Sequence, residues 1–407
     1  MAATEQEDLT ARLRRFPVDR YPVQHATTQF HLGSERLHAG DAKAALTALT
    51  AASEVFEQTG MRLEQAKADV MLGIGLRTAQ RRSEAVTVFV RAETALAALG
   101  AATEQAAAAY NLGLVHQDAG DLPAAYNAWQ RARELFVAGG YPAQAAAAAR
   151  DQGAALLSDG HPDDALPLLQ QALDLADRGG DEGGVGAAAN ALGLAHLAVG
   201  DPTAAIVALR RSLGAFPRVV RPGDHAMVKA NLALAHEQAG DDARARLAAR
   251  QALALAAPPP VRVQAQEVLA RLAADAVDDL WLVLDDGVPE ASPGVLREEL
   301  LRGLDLGAGA DTLVVRGFLE GLLDRPGRSY ELAESFLQVV LELPPRPYGH
   351  LVEAVVASCA VQSDSGAERL RSVLGSAMAR FAMPQWQRLA ASLNDAALAA
   401  GQPATWR

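Results

Sequence analysis

The chain of 407 residues is poor in cysteine, lysine and aromatic side chains. Its single cysteine, Cys359, excludes an intrachain disulfide framework. Alanine and leucine make up most of the apolar half of the sequence, whereas the β-branched and aromatic residues that favour strands are sparse. The composition therefore predicts an all-α fold and argues against a β-rich one.

Long apolar runs are also missing. The stretch 351–361 is short and is interrupted by charge, well under the roughly 20 residues that cross a bilayer. Residues 1–17 lack the basic start and apolar stretch of a signal peptide. We therefore expect a cytoplasmic protein that does not bind or cross a membrane.

The charge balance bears on the choice of partner. The formal net charge is −12, and basic residues are scattered among acidic ones instead of forming a stripe. Such a surface repels phosphate backbones, so no nucleic-acid partner is expected. The scarcity of lysine relative to arginine is typical of a GC-rich bacterial genome and is not taken as a binding signature.

A repeat of 40 residues dominates the first two thirds of the chain. A Leu-Gly position recurs six times, at Leu32-Gly33, Leu72-Gly73, Leu112-Gly113, Gln152-Gly153, Leu192-Gly193 and Leu232-Ala233. Small residues follow twelve and nineteen positions after the second residue of each pair, for example Ala85 and Ala92. A small residue on one helix that faces a small residue on the next predicts close packing of two helices.

Turn residues punctuate each repeat twice. Gly-Asp pairs such as Gly40-Asp41 and Gly120-Asp121 predict a left-handed residue that ends one helix and a cap that begins the next. A second glycine lies 20 residues further on, as at Gly60. Each repeat is thus predicted to be a helix, a tight turn, a helix and a looser turn.

This spacing resembles the tetratricopeptide repeat family, in which Leu-Gly, Ala, a large residue and Ala recur. The large residue stands at Leu49, Phe89, Trp129, Leu169 and Leu209. The family period is usually 34 residues, and we place the six extra ones in longer helix ends and the turn between repeats. The longer form is similar to the repeats of kinesin light chain, whereas HEAT repeats lack this spacing. The resemblance implies a right-handed α-solenoid of helix hairpins.

Three regions follow from the pattern. Residues 1–23 are predicted to form a capping segment, 24–277 six repeats with a capping helix at 261–276, and 278–407 a divergent all-helical extension. The helical segments of the extension are expected at 295–304, 311–323, 330–343, 348–361, 367–381 and 384–400. The extension is either a set of degenerate repeats or a separate small bundle.

The resemblance implies a binding groove lined by the first helix of each pair. Asn111 and Asn231 occupy a position where long-period members of the family present asparagine to a peptide backbone. An amide side chain suits this role because it can both donate and accept hydrogen bonds. The occupant is either a partner protein or peptide or the carboxy-terminal extension itself. The candidate binding residues are Lys67, Ile74, Arg77, Tyr110, Asn111, Leu114, Gln117, Arg150, Asn190, Leu194, Asn231 and Leu234.

Two sets of residues were considered as metal sites. His116, His196 and His236 share one repeat position, but neighbouring helices lie about 8–10 Å apart, too far for one zinc ion. Asp278-Asp279 and Asp285-Asp286 lie on one helical face, as in magnesium-binding helices, yet no second acidic motif follows. Structural roles are favoured for both sets: packing for the histidines and a solvated, capping-rich helix end for the aspartates. No metal or cofactor is predicted.

The predicted function is a scaffold or adaptor that binds a protein or peptide in the groove. One alternative is a ligand- or peptide-sensing regulator, and another is a helical enzyme or biosynthetic accessory protein that uses the carboxy-terminal region. No catalytic residue is predicted, because no nucleophile elbow, phosphate loop or Cys-x-x-Cys pair is present. Cys359 lies in an apolar segment and is expected to be an inert core thiol.

Overall fold

A computed structural model describes residues 2–255, 257–272, 279–307 and 309–406. All regular structure in these ranges is helical, which confirms the all-α prediction and the solenoid of helix hairpins. The chain divides into two compact units, Met1–Asp201 and Pro202–Arg407, here called unit 1 and unit 2. None of the described helices is both long and apolar enough to cross a membrane.

Unit 1 is built from helices of nearly constant length. Helices α2 to α8 have 17 residues each, and three residues join each helix to the next. The prediction of a looser turn between repeats is wrong, because both kinds of turn have the same length and the helices hold the extra residues. The helices are α1 (Ala2–Arg15), α2 (Pro22–His38), α3 (Ala42–Gln58), α4 (Arg62–Thr78), α5 (Arg82–Ala98), α6 (Ala102–Asp118), α7 (Leu122–Ala138), α8 (Pro142–Ser158), α9 (Pro162–Gly179) and α10 (Glu182–Ala198).

The turns have the predicted chemistry. Glycines such as Gly40 (φ 78°) and Gly60 (φ 69°) adopt left-handed backbone angles where one helix ends. Asp41 and Asp121 cap the next helix, each accepting a hydrogen bond at 3.1 Å from the amide three residues on. In the second repeat Gln80 occupies the glycine position with φ 60°, an angle that L side chains rarely adopt.

Close packing within each pair differs from the prediction in one respect. In the first four repeats the glycine of the Leu-Gly position lies opposite the large residue of the second helix, and not opposite an alanine. A Cβ at Gly113 would lie 2.5 Å from Nε1 of Trp129, and one at Gly73 would lie 2.6 Å from the Phe89 ring. The glycine therefore creates the space that the large side chain fills.

A buried polar cluster joins three helices of unit 1. Asp69 of α4 is 2% exposed. Its carboxylate accepts a hydrogen bond from Ser53 Oγ at 2.6 Å and two from Arg91, at 2.8 and 2.6 Å. The charge is thus fully compensated by α3 on one side and α5 on the other, as buried charges require.

Unit 2 begins with α11, the second helix of the fifth repeat, and continues with the sixth repeat, α12 and α13. Helix α14 packs against α12 and α13, as the first helix of a further pair would. It covers part of the predicted 261–276, and residues 273–276 lie outside the described ranges. The helices of unit 2 are α11 (Pro202–Ala215), α12 (Pro222–Gln238), α13 (Asp242–Leu253), α14 (Pro259–Arg271), α15 (Asp279–Asp286), α16 (Ser292–Leu306), α17 (Ala310–Asp324), α18 (Ser329–Glu342), α19 (Pro345–Ala360), α20 (Asp364–Met378) and α21 (Met383–Ala399).

The carboxy-terminal helices share one core but pack differently from the repeats. Here alternate helices make the main contacts, α17 with α19 and α18 with α20, whereas consecutive helices do so in unit 1. Trp281, Phe318 and Phe336 stack in this core with centroids 5.4 and 5.0 Å apart. Cys359 is buried there, and burial raises the pKa of its thiol to about 11, which makes it the inert core thiol expected from the sequence.

Each unit contains one Phe-Pro turn that is closed by a histidine in the same way. Phe16-Pro17 and Phe216-Pro217 both follow a 14-residue helix, and nine residues after each phenylalanine stands a histidine. Nδ1 of His25 lies 2.9 Å from the Phe16 carbonyl oxygen, and Nδ1 of His225 lies 2.9 Å from that of Phe216. Helix α1 thus corresponds to α11, the second helix of a pair.

The substitution Gly113→Ala should destabilise unit 1 by about 1–3 kcal/mol, because the added methyl group overlaps the Trp129 indole. Urea denaturation followed by circular dichroism measures the change. The double variant Gly113→Ala with Trp129→Leu should recover part of the loss. Equal stability of the single variant and the parent protein would contradict this account of the packing.

The substitution Gln80→Gly should have the opposite sign. Glycine adopts the left-handed backbone angle of this position without the steric cost that glutamine has, so the change should stabilise the protein by about 1 kcal/mol. The reciprocal change Gly120→Gln, at the matching turn of the next repeat, should destabilise it by a similar amount. If both variants shift the unfolding midpoint in the same direction, the backbone angle at these turns is not the cause.

Candidate functional site

The candidate binding surface of unit 1 lies on the first helices α4, α6 and α8. We call it the first-helix surface. Its members are the half-buried side chains Lys67, Ile74, Arg77, Tyr110, Asn111, Leu114 and Arg150, together with the exposed Gln117.

Ion pairs join α4 to α6 across this surface. Arg77 Nε lies 2.6 Å from Asp118 Oδ2, and Lys67 Nζ lies 3.2 Å from Glu104 Oε1. About a third of each side chain in the Arg77 pair is exposed (33% and 31%). Pairs this accessible add little stability, so their main effect is to hold charged groups at fixed positions.

A second cluster joins α6 to α8 and is better shielded. Tyr110 donates its hydroxyl to Asp151 Oδ2 at 2.8 Å, and Arg150 donates to Asp151 Oδ1 at 2.8 and 3.0 Å. Burial and the charge of Asp151 raise the pKa of Tyr110, which keeps its hydroxyl protonated. Burial lowers the pKa of Arg150, but the charge and hydrogen bonds of Asp151 outweigh it, and the pKa is raised overall.

Asp151 was not among the predicted binding residues. In the sequence Asp151 occupies the repeat position that holds Asn111 and Asn231 in other repeats, so it only departs from the asparagine expected there. In the structure it holds both Tyr110 and Arg150, two residues that were predicted. The only sequence signal for this role is the spacing of 41 residues from Tyr110, which also separates Arg77 from Asp118.

The three predicted asparagines do not form a row on the surface. Asn111 is half-buried and donates Nδ2 to the Ala107 carbonyl oxygen of its own helix at 2.8 Å. Asn190 and Asn231 are only 7% and 5% exposed. Asn231 accepts a hydrogen bond at 2.9 Å from Gln264. Of the three amides, that of Asn111 is therefore the most accessible.

The predicted apolar positions are half-buried. Ile74 packs against the core that α3 to α6 share, and Leu114 packs beside Trp129. Leu194 in unit 1 and Leu234 in unit 2 have the same intermediate exposure. Ile74 and Leu114 thus place apolar surface among the polar clusters of unit 1.

The acidic segment in unit 2 is held by arginines. Asp279 is 3% exposed. It lies 2.7 Å from both Arg246 Nη2 and Arg250 Nη2. Arg325 and Arg244 pair in the same way with Asp285 and Asp286, at 2.8 and 3.2 Å. Asp278 lies outside the described residues. The carboxylates thus neutralise guanidinium groups, and the expectation of a solvated helix end is wrong for the buried Asp279.

The histidines of the repeat stand beside the turn aspartates. Nδ1 of His116 lies 4.0 Å from Asp121, and Nδ1 of His236 lies 3.9 Å from Asp241. Burial lowers the pKa of His236 to about 4, so its imidazole is neutral near pH 7. In the ranges that the structure describes, no three His, Cys, Asp or Glu side chains are grouped as a metal site requires.

Comparison with known families agrees with the repeat. A tetratricopeptide repeat model matches residues 104–178 and 146–218, and a second one matches residues 190–260. A search of curated proteins gave no match.

Several solved structures share the fold. The apo form of RapI aligns with 87% of this chain and 97% of its own, at a TM-score of 0.50 and 14% identity. BtubC from P. vanneervenii aligns with 62% of this chain and 94% of its own, at a TM-score of 0.44 and 14% identity. A putative kinesin light chain from Podosopora anserina with nearly identical TPR-like repeats aligns with 48% of this chain and 96% of its own, at a TM-score of 0.42 and 16% identity. At these identities the likeness is one of fold alone.

The low pKa of His236 predicts a loss of stability in acid. As the pH falls from about 6.5 to 4, the unfolded chain binds a proton that the folded chain does not, so the free energy of unfolding decreases. Between pH 7 and pH 4.5 the free energy of unfolding should decrease in both proteins. The decrease should be smaller in the variant His236→Gln than in the parent protein, by about 2 kcal/mol. Urea denaturation at both pH values measures the difference. Equal acid losses in the two proteins would contradict a buried neutral histidine.

Proposed function

We propose that this chain, whose residues 104–260 match tetratricopeptide repeat models, is a scaffold or adaptor that binds a partner protein or peptide along the first-helix surface. In this proposal α4, α6 and α8 line a concave groove, and the partner lies across them. Asn190 and Leu194 on α10 extend the candidate surface within unit 1, and Asn231 and Leu234 are the candidate binding residues on α12 of unit 2.

One observation carries the proposal: polar side chains of three successive first helices are held in place across the surface, with apolar side chains among them. Asp118 fixes Arg77, and Asp151 fixes Tyr110 and Arg150. A side chain that is already ordered loses little conformational entropy when a partner binds, so such groups favour affinity. Tyrosine and arginine are also the residue types most often found at binding hot spots.

The chemistry of the surface describes the partner in general terms. Ile74 and Leu114 offer contacts to apolar side chains, and Gln117 and Asn111 can bond a backbone or a polar side chain. The surface carries both signs of charge, with Arg77 and Arg150 beside Asp118 and Asp151. A segment with apolar anchors and mixed charge fits it, as an extended peptide or as an amphipathic helix.

The test is a pull-down from the source cell with the double variant Arg77→Ala and Tyr110→Ala. We expect the partner captured by the parent protein to bind the double variant at least tenfold more weakly, because a hot-spot truncation costs roughly 2 kcal/mol. Partners are identified by mass spectrometry, and affinities are then measured with the purified partner.

The control variant is Arg131→Ala on α7. Arg131 forms an ion pair with Glu93 of α5 at 2.9 Å. This pair resembles that of Arg77 with Asp118, but it joins two second helices instead of two first helices. It should leave the affinity unchanged within twofold. If the control and the double variant lose the partner equally, binding does not take place at the first-helix surface. A short peptide as partner would favour the peptide-sensing regulator over the adaptor.

A further inference from the structure

Unit 2 contains a cavity of about 400 Å³ between its last well-marked repeat and the carboxy-terminal helices. Helices α11, α12, α13, α15 and α16 contribute to its walls. This volume falls in the range of small-molecule sites, which are about 300–1,000 Å³, mostly apolar and equipped with a few polar groups. The apolar lining consists of Leu213, Leu232, Leu247, Ala248, Val283 and Val295.

His236 is a polar group of the cavity lining whose side chain is mostly buried and makes no hydrogen bond with the residues that the structure describes. Its side chain is 10% exposed. Because the imidazole is neutral near pH 7, it offers one N–H donor and one acceptor to a bound molecule.

Most charged groups of the lining are already paired. Lys229 lies 3.0 Å from Glu298 Oε2 and donates to Gln251 at 2.9 Å. Arg244 is held between Asp241 and Asp286. Their charges are therefore compensated inside the protein.

Arg210 is the exception. It lies on α11 at the exposed rim of the cavity, and it forms no ion pair or hydrogen bond with any residue that the structure describes. Arg210 and His236 both line this cavity, and the positive charge of Arg210 contributes to the low pKa of His236. The rim thus brings together an uncompensated guanidinium group and a neutral imidazole above an apolar interior.

A neighbouring cavity of about 220 Å³ in the same unit shows the contrast. Its charged lining residues are Arg250, Glu299 and Arg302. Arg250 pairs with Asp279, and Glu299 pairs with Arg302. An unpaired arginine therefore distinguishes the larger of these two cavities from its neighbour.

We propose that the larger cavity binds a small aliphatic carboxylate, with its carboxylate between Arg210 and His236 and its hydrocarbon chain among Leu213, Leu232 and Leu247. Arg210 supplies the opposite charge, and the imidazole of His236 donates a hydrogen bond. The site is independent of the first-helix surface, and its ligand need not be related to the protein partner.

Octanoate is the probe, and its binding to the full chain is measured by isothermal titration calorimetry. Octanol and octylamine have the same hydrocarbon chain without the negative charge, and both should bind at least tenfold more weakly. Arg210→Ala should weaken octanoate binding about tenfold, as loss of one charge-assisted hydrogen bond does. Arg262→Ala, an exposed arginine of α14 that does not line the cavity, should leave the affinity unchanged.

A second variant fills the cavity without disturbing the fold. Gly294 of α16 lines the cavity, and a Cβ built there has no heavy atom within 4 Å. Gly294→Leu should therefore fold normally by circular dichroism and bind octanoate at least tenfold more weakly. Gly214→Leu is the matched control, because its Cβ also meets open space while the residue lies outside the cavity lining.

Three results would overturn the proposal. They are absence of octanoate binding at millimolar concentration, octanol binding as tight as that of octanoate, and unchanged binding in Gly294→Leu. The Arg77→Ala and Tyr110→Ala double variant should bind octanoate like the parent protein. The cavity and the first-helix surface are thereby tested separately.

Discussion

The repeat depends on one contact, in which a glycine of the first helix lies beneath the large side chain of its partner helix. At Gly113 the space for the Trp129 ring exists only because no Cβ is present. Trp129 and Phe89 are completely buried as a result. The contact sets how closely the two helices approach, and the three-residue turns then repeat the arrangement at constant spacing. Side chains on the outer side of the first helices consequently recur at equivalent positions, and this allows one repeat to bond the next across 41 residues.

Much of this fold could be predicted from the sequence, because its determinants are local. Left-handed glycines at Gly40 and its equivalents and aspartate caps at Asp41 and Asp121 are read from neighbouring residues. The partner of each Leu-Gly glycine is not local. The spacing showed that small residues recur, but the side chain that fills the space is identified only once two helices are placed side by side. The strained Gln80 was missed because the pattern was defined by glycine.

The candidate site was predicted only in part for the same reason. The repeat position identified Arg77, Tyr110 and Arg150, since equivalent residues face the same way. It did not identify Asp151, which orders two of them, because its role depends on a neighbour on another helix. The acidic segment shows the converse case. Asp279 suggested a metal ligand from spacing alone, yet two arginines that precede it by about thirty residues surround it in the structure.

The buried polar pairs give the array a defined register. Lys229 and Gln251 occupy, four repeats further on, the positions of Asp69 and Arg91, so the charge on the first helix is reversed from one repeat to the other. A mispaired array would place each first helix against the second helix of the preceding repeat in the geometry that it has with its own second helix. Asp69 would then face Ala51, and Lys229 would face Arg211. A buried charge without its partner costs several kcal/mol. Repeats of equal length are thus not interchangeable, and mispaired hairpins are disfavoured during folding.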